Sequence, residues 1–447
     1  MICLIILNIW GVFSLEDALK LKRATYHLWT FVASKLISSF GAQVYAFAIS
    51  FYILQMTGSA TSFATNLICS ILPRTLLAPF VGYVADNYSR KAIVILAQIG
   101  ATIAIGGLLV VSLVSGLSLI AIYATTIVLS ITSTFSGIAF SSSVTGLIDE
   151  KRIQKAMSMN QMSVSAAAIG SPAVGGLLYG VVSMSTFLMI YLIASMIAVL
   201  LESTMNFKLF AKRKEVVVGE KKESMFQSMK AGLSYVKGHS ILVAMIWISL
   251  LVNFLFGAFE VGYAYVLIEK LKILPQHFGF TEGALAVGML LLSIYMSVRK
   301  EVKFPFLVSK RGILIFGLLV MSVAIPLIVP MGYAVMVGFY MVVMFSLGAA
   351  VIVVNTPIMV MMQKTIDDDY KGRVFSIIET MAMALMPLGM VIYGFLYDLI
   401  PAEWILTVSG LLLIFVVLIL ARPSVVRKAH PELGGNQTLE HEVSSTS

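Results

Sequence analysis

Asp149–Gly180 reads DEKRIQKAMSMNQMSVSAAAIGSPAVGGLLYG, and Asp367–Asp398, 218 positions later, reads DDDYKGRVFSIIETMAMALMPLGMVIYGFLYD. Laid on each other without a gap, Asp149 meets Asp367, Lys155 meets Arg373, Ser158 meets Ser376 and Ala166 meets Ala384. Gly176 then meets Gly394, and Leu178-Tyr179 meets Leu396-Tyr397. Each copy has an acidic then basic lead, a run of small and apolar residues, and a Gly-x-Leu-Tyr end. A shorter echo pairs Phe40-Gly41-Ala42 with Phe256-Gly257-Ala258. Shared composition alone is the competing explanation; the common register favours an internal repeat.

Composition says where such a repeat resides. The chain has 447 residues, of which 59% are hydrophobic and 12% charged, with a mean hydropathy of +0.96. Soluble domains carry about 25% charged and about 45–50% apolar residues. Lipid is therefore the expected solvent for most of this surface. A spanning helix needs roughly 20 apolar residues, and the apolar runs give twelve of them: 28–55, 60–85, 92–114, 117–146, 156–181, 184–202, 241–268, 282–298, 312–330, 332–362, 373–398 and 402–421. The expected fold is an all-α membrane protein of two pseudo-symmetric six-helix bundles, 28–202 and 241–421. Around them lie an interfacial segment 1–27, a linker 203–240 and a polar tail 422–447. Met225, Phe226, Met229, Leu233 and Val236 recur at helical spacing in the linker, which predicts an amphipathic helix on the inner leaflet. Residues 1–13 are apolar but too short to span, and they lack the marks of a signal peptide.

The net charge of +9 suits either nucleic acid or an acidic membrane surface, and its distribution decides. With both termini inside, the inner segments hold 27 of the 31 Lys and Arg, and the outer loops hold only Lys270 and Lys272. That asymmetry is the mark of membrane topology, and nucleic acid is not an expected partner. Cys3 and Cys69 form no disulfide framework and no metal-ligand pattern. No phosphate-binding Gly-x-x-x-x-Gly-Lys-Ser/Thr loop occurs, so no cofactor and no metal are expected. An enzyme would show a His, Asp or Ser cluster at one interface, and a receptor would carry a larger soluble domain. The fifth span matching the eleventh, and the first the seventh, is a parallel six-plus-six repeat; in secondary transporters built this way the halves rock about a midplane site.

Gly82-Tyr83-Val84-Ala85-Asp86-Asn87-Tyr88-Ser89-Arg90-Lys91 joins the second span to the third on the inside. It resembles the signature loop of the major facilitator superfamily, Gly-x-x-x-Asp-x-x-Gly-Arg-Lys, with Ser89 at the later Gly. Gly82 permits close helix approach, and Asp86, Arg90 and Lys91 supply the charges of an inner gate. The run Ser38–Gln55 followed by Thr57-Gly58-Ser59, the prolines Pro73 and Pro79, and Gly372-Arg373-Val374-Phe375-Ser376 resemble the macrolide-efflux-like branch of the drug:proton antiporters, which also includes siderophore exporters. That resemblance implies the major-facilitator fold, a multi-pass location in a bacterial cytoplasmic membrane and a functional monomer. It also implies proton-driven export of amphipathic compounds. In the antiporter motif of the fifth span Pro172, Gly175 and Gly176 fit, while Ala167 and Ser171 stand at Gly positions. The fourth span carries no Arg.

Ionisable residues within spans usually face a cavity or a partner. Here they are Lys35, Arg74, Glu260 and Glu379. Lys35 reads as snorkelling to the inner interface. Arg74 lies roughly 18 Å from the inner face at about 1.5 Å per residue, and Ser62, Asn66, Ser70 and Arg74 share one helical face. Glu260 and Glu379, the latter opposite Gln161 in the repeat, are the expected coupling carboxylates, with Arg74 as a partner in one state. Gln43, Asn66, Ser70, Gln161, Asn253 and Asn355 are expected to line the cavity, and Asn355-Thr356-Pro357 to break its helix. Many of the 26 methionines lie between Met336 and Met390, a soft surface suited to varied ligands or to plain packing. Export of one defined metabolite or siderophore, and uptake of a nutrient, are the rival readings.

Overall fold

The computed structural model describes residues 2–210, 225–300, 302–367, 371–430 and 432, with side chains from Leu19 onward except at some helical positions. Among the described residues the chain is helical throughout, joined by short turns. Lipid offers no hydrogen bonds, so each crossing segment must satisfy its own backbone, and a helix does so within one segment.

The first six helices are α1 Ile2–Thr57, α2 Ala60–Asn87, α3 Arg90–Val114, α4 Leu119–Leu147, α5 Glu150–Val181 and α6 Met184–Ser203. Their ends are set by turn chemistry. Gly58 (φ 62) and Gly116 (φ 76) take the left-handed conformation after α1 and α3, which glycine adopts without a Cβ penalty. Ser59, Ser118 and Ser183 each accept the backbone N–H three residues on, the N-cap bond that satisfies a helix's unpaired first turn. Residues 2–27 continue into the first span as one helix.

The following helices are α7 Met225–Gly238, α8 Ser240–Ala264, α9 Pro275–Val298, α10 Pro305–Ser322, α11 Ile325–Ile328, α12 Tyr333–Thr365, α13 Lys371–Ala384, α14 Met386–Leu399, α15 Ala402–Leu420 and α16 Pro423–Ala429. A π-helical turn, Tyr265–Lys270, extends α8. Ten helices among the described residues are long and apolar enough to cross a bilayer. The two other expected spans are α2, diluted by Asn66, Pro73 and Arg74, and the eleventh, divided into α13 and α14. Pro387 explains that division: it has no N–H to donate, and its ring opposes the carbonyl four residues back. Pro357, by contrast, sits inside an unbroken α12, which corrects the break expected at Asn355-Thr356-Pro357. The eighth span starts at Pro275 rather than 282, because proline suits the first helical turn, where its N–H is not needed.

The chain forms two compact units: Met1–Ser50 with Cys69–Val218, and Phe51–Ile68 with Gly219–Ser447. The tip formed by the end of α1 and the start of α2 thus belongs to the second unit. Within each unit the repeated helices meet through glycine. In the first, a Cβ on Gly175 of α5 would touch the Phe47 ring of α1 at 3.0 Å, and one on Gly170 the Phe40 ring at 3.2 Å. In the second, a Cβ on Gly257 of α8 would meet the backbone of Gly389 and Met390 in α14 at 3.0 Å, and Gly389 faces the Phe254 carbonyl. Tyr397, whose repeat mate is Tyr179, donates its hydroxyl to the Ala258 carbonyl at 2.8 Å.

The linker helix α7 is anchored on protein at its last turns. Val236 is buried, and the Tyr235 hydroxyl donates to Asp367 Oδ2 at 3.2 Å and accepts the Asp367 N–H at 3.2 Å. At the other terminus His430 is buried, and its Nε2 accepts the Phe306 N–H at the start of α10, 3.2 Å away.

Two outcomes follow from these contacts. Gly389→Leu drives a side chain into the Phe254 backbone and is expected to cost at least the ~1–3 kcal/mol of core overpacking, read as a lower melting temperature in detergent. Gly338→Leu, at a position with open space around it, leaves that temperature unchanged. Burial holds the His430 imidazole below its ordinary value of 6.5, so its contribution to stability is complete above 6.5 and is lost as pH falls through the lower folded value. Proteolytic release of the C-terminal segment should accelerate with acidification over that range, and His430→Gln should flatten the dependence.

Candidate functional site

The site in the second unit is organised by aromatic packing. Phe256 and Phe259 of α8 lie against Phe316 of α10, with ring centroids 5.7 and 6.5 Å apart. Tyr263 stacks on Phe278 of α9 at 5.7 Å and 29°, and Tyr340 of α12 meets it edge-on at 6.2 Å. The Tyr263 hydroxyl donates to Thr281 Oγ1 at 2.6 Å, which donates to the Phe278 carbonyl at 2.7 Å. Tyr263, Phe278 and Thr281 are all buried.

This clamp fixes the register of two helices running in opposite directions. Glu260 lies three residues before Tyr263, and Glu282 lies four residues after Phe278. Residues three and four apart share a helix face, so the stacked rings place both carboxyls one turn further along, opposite each other. Glu260 acts electrostatically on Glu282, and Glu282 on Tyr263. Both glutamates keep part of their surface accessible, although the rings beside them are closed off. Among the described residues, neither carboxyl is paired with a cation or a hydrogen-bond donor. Glu282 is not among the residues expected from sequence, because it falls at the start of the run 282–298. That run is short and can extend back through the loop with Pro275, and in the structure it does.

The first unit holds a second carboxyl that the sequence reading passed over. Glu202, at the last turn of α6, is 2% exposed, and Ser34 of α1 donates to its Oε1 at 2.6 Å. Oε2 is buried and makes no hydrogen bond. Glu202 and Arg74 both act electrostatically on Lys35, which is only partly accessible. Lys35 thus lies within electrostatic reach of a buried acid at the end of α6. Arg74 itself is exposed on α2.

At the α2–α3 loop, the side chains of Gly82 and Asp86 fall outside the described residues. Arg90 Nε donates to the Ala85 carbonyl at 3.3 Å, and Lys91 Nζ donates to the Ser203 carbonyl at 2.9 Å. A cation on the closing carbonyls of α6 satisfies unpaired acceptors at the negative end of the helix dipole. Ser89, the departure from the signature loop, is the N-cap of α3 and accepts the Ala92 N–H.

The expected lining residues divide. Gln43 accepts a long 3.5 Å bond from Ser171 of α5, beside Pro172 and the buried Gly175 and Gly176. Asn66 is buried, and the Ser70 carbonyl accepts from Ser130 of α4 at 2.6 Å. Asn253 turns back onto its own helix, donating to the Ser249 carbonyl at 2.9 Å. Asn355 is exposed and borders a small cavity of about 70 Å³ beside Ser309 and Lys310. The side chains of Gln161 and Glu379 lie outside the described residues. A larger cavity of about 500 Å³, almost wholly apolar, opens in the first unit between Leu36 and Phe40 of α1, Ala166 of α5, and Ile190, Tyr191 and Ala194 of α6.

The sequence profile of the Major Facilitator Superfamily matches residues 31–390. Macrolide efflux protein A of Streptococcus pyogenes is 24% identical over 408 residues, covering 90% of this chain and 96% of its own. An uncharacterised MFS-type transporter of Bacillus subtilis, YfiS, is 27% identical over 397 residues, covering 88% and 92%. Among solved structures, a bacterial homologue of the iron transporter ferroportin in an inward-facing state superposes with a TM-score of 0.63 at 15% identity, over 89% of this chain and 98% of that one. A D-xylose–proton symporter gives 0.63 at 12% identity, over 88% and 97%. These structural likenesses establish the fold.

Ser89→Ala removes the α3 cap and is expected to cost about 1 kcal/mol, whereas Ser89→Gly costs only a few tenths. Detergent melting temperatures of the two variants check this ordering.

Proposed function

The chain belongs to the major facilitator superfamily, and from that premise we propose that it exports amphipathic, largely hydrophobic organic compounds across a bacterial cytoplasmic membrane in exchange for protons. It is a membrane transporter, not an enzyme. The observation that supports the coupling is that Glu260 and Glu282 lie within electrostatic reach of each other, with no cation paired to either among the described residues. Like charges this close disfavour double ionisation, so a state in which one of the two acids holds a proton is favoured. A compartment that opens to one side of the membrane and then the other loads and unloads that proton. Glu379, on the repeat mate of α5, is the second candidate for the same role, and Arg74 a counter-charge in one state.

Export rather than uptake is supported by the relatives named for macrolide efflux, which match over most of their length. The charge asymmetry places both termini in the cytoplasm. In that orientation the loop Gly82–Lys91 is the inner gate, with Asp86 and Arg90 as its breakable charge pair. Lipid, substrate and protons are the partners of a functional monomer.

The test is uptake into inverted vesicles of a panel of dyes and macrolides, with and without an imposed proton gradient. The wild type accumulates at least one compound only with the gradient. Glu260→Gln and Glu282→Gln are each expected to bring accumulation down to the level of empty vesicles while retaining substrate exchange at equal pH. Full gradient-driven accumulation in both variants sinks the coupling role of the pair. Accumulation that ignores the gradient in the wild type sinks antiport itself.

A further inference from the structure

Both α14 and the α1–α2 tip belong to the second unit, and one carboxylate joins them. Asp398, in the last turn of α14, accepts from Ser59 Oγ at 2.7 Å, from the Ala60 N–H at 2.7 Å and from the Thr61 N–H at 3.1 Å. The first N–H groups of a helix have no partner inside it. Here Asp398 takes those of Ala60 and Thr61, and Ser59 Oγ takes that of Ser62 at 3.2 Å. A negative charge at this position also meets the positive end of the α2 dipole.

The backbones meet as well. One turn before Asp398, a Cβ on Gly394 would touch the Ala60 carbonyl at 3.2 Å and Thr61 Cα at 3.3 Å, so α14 has no side chain where α2 begins. The tight turn at Gly58 (φ 62) delivers Ser59 to the carboxylate, with Glu269 beside it. Glu269 is itself occupied by Lys272 at 2.8 Å, which leaves Asp398 as the acid on the helix end. The repeat offers no counterpart, because Asp398 aligns with Gly180.

We propose that Asp398, seated by Gly394, is a latch that holds the first turn of α2 against α14 and closes the outer side of the transporter. Release of its three hydrogen bonds then accompanies opening to the outside. The proposal rests on the alternating-access reading but needs neither protons nor an identified substrate. It makes α2 a lever fastened at both ends, by Asp398 at its start and by the loop carrying Asp86 at its finish, about 39 Å away at ~1.5 Å per residue.

The experiment uses the full-length protein in whole cells, with Cys3 and Cys69 replaced by serine and Asn66→Cys as reporter. Asn66 is buried two turns below the latch, on the helix whose first turn the latch holds, so on this proposal release of the latch exposes it to the outside. Labelling by a membrane-impermeant maleimide is expected to accelerate about tenfold in Asp398→Ala, equivalent to about 1.4 kcal/mol of latch strength, and less in Asp398→Asn and Ser59→Ala. Labelling at the starting rate in Asp398→Asn and Ser59→Ala, both present at normal levels in the membrane, overturns the latch whatever happens to Asp398→Ala. A merely structural carboxylate lowers the detergent melting temperature of all three without changing that rate, and this too overturns it. Failure here leaves proton-coupled export untouched, since vesicle accumulation reports on that separately.

Discussion

Lipid cannot solvate a carboxyl group, so an acid inside a bilayer has to find a cation, water or a proton. Glu260 and Glu282 face each other on neighbouring helices, beside rings that exclude water, while their own surfaces stay partly accessible. Much of the second unit serves this arrangement. The Tyr263–Phe278 stack and the Tyr263–Thr281 bond set the register of α8 and α9. Gly257 and Gly389 let α14 approach α8 from another side. The π-helical turn ends α8 just beyond, with Leu271 donating to Val266 five residues back. Such turns interrupt helices frequently at functional sites.

The first unit solves the same problem differently. Glu202 has the Ser34 hydroxyl on one oxygen and Lys35 within electrostatic reach. That contrast is why the proposed proton carrier is the pair on α8 and α9, where no fixed cation competes with the proton.

The repeat was legible because glycine and tyrosine positions were kept in register, and the structure shows why they matter: Gly389 and Tyr397 are contact points with α8. Span existence was legible from hydropathy, but helix ends were not, and the missed acids cluster there. Glu282 falls at the start of an expected span, and Glu202 and Asp398 at the ends of two others. Hydropathy windows lose contrast where a span meets a turn, while capping and close packing operate at that same place. Ser89 teaches a related lesson. It departs from the family pattern, and locally it is an N-cap, which serine fills as well as any residue. Asn253 shows the converse: a polar side chain in a span need not face a cavity, since it can bond its own helix one turn back.

A proton shifts a conformational equilibrium only to the extent that its affinity differs between the two states. Facing glutamates meet that requirement with small movements. Separating α8 from α9 by one side-chain diameter would relieve the repulsion and admit water, and closing them would bring the repulsion back and expel the water. The proposed latch is under no such requirement, since hydrogen bonds from backbone N–H groups and a hydroxyl to a carboxylate near the surface are made or broken as a unit. Coupling and gating therefore need not share residues. On the proposed reading the carboxyl pair sets which state a proton favours, and Asp398 with the loop at the far end of α2 sets how firmly each closed side is held. A substrate that partitions into the bilayer then needs only a cavity with few fixed charges, which fits a chain whose larger described cavity is apolar.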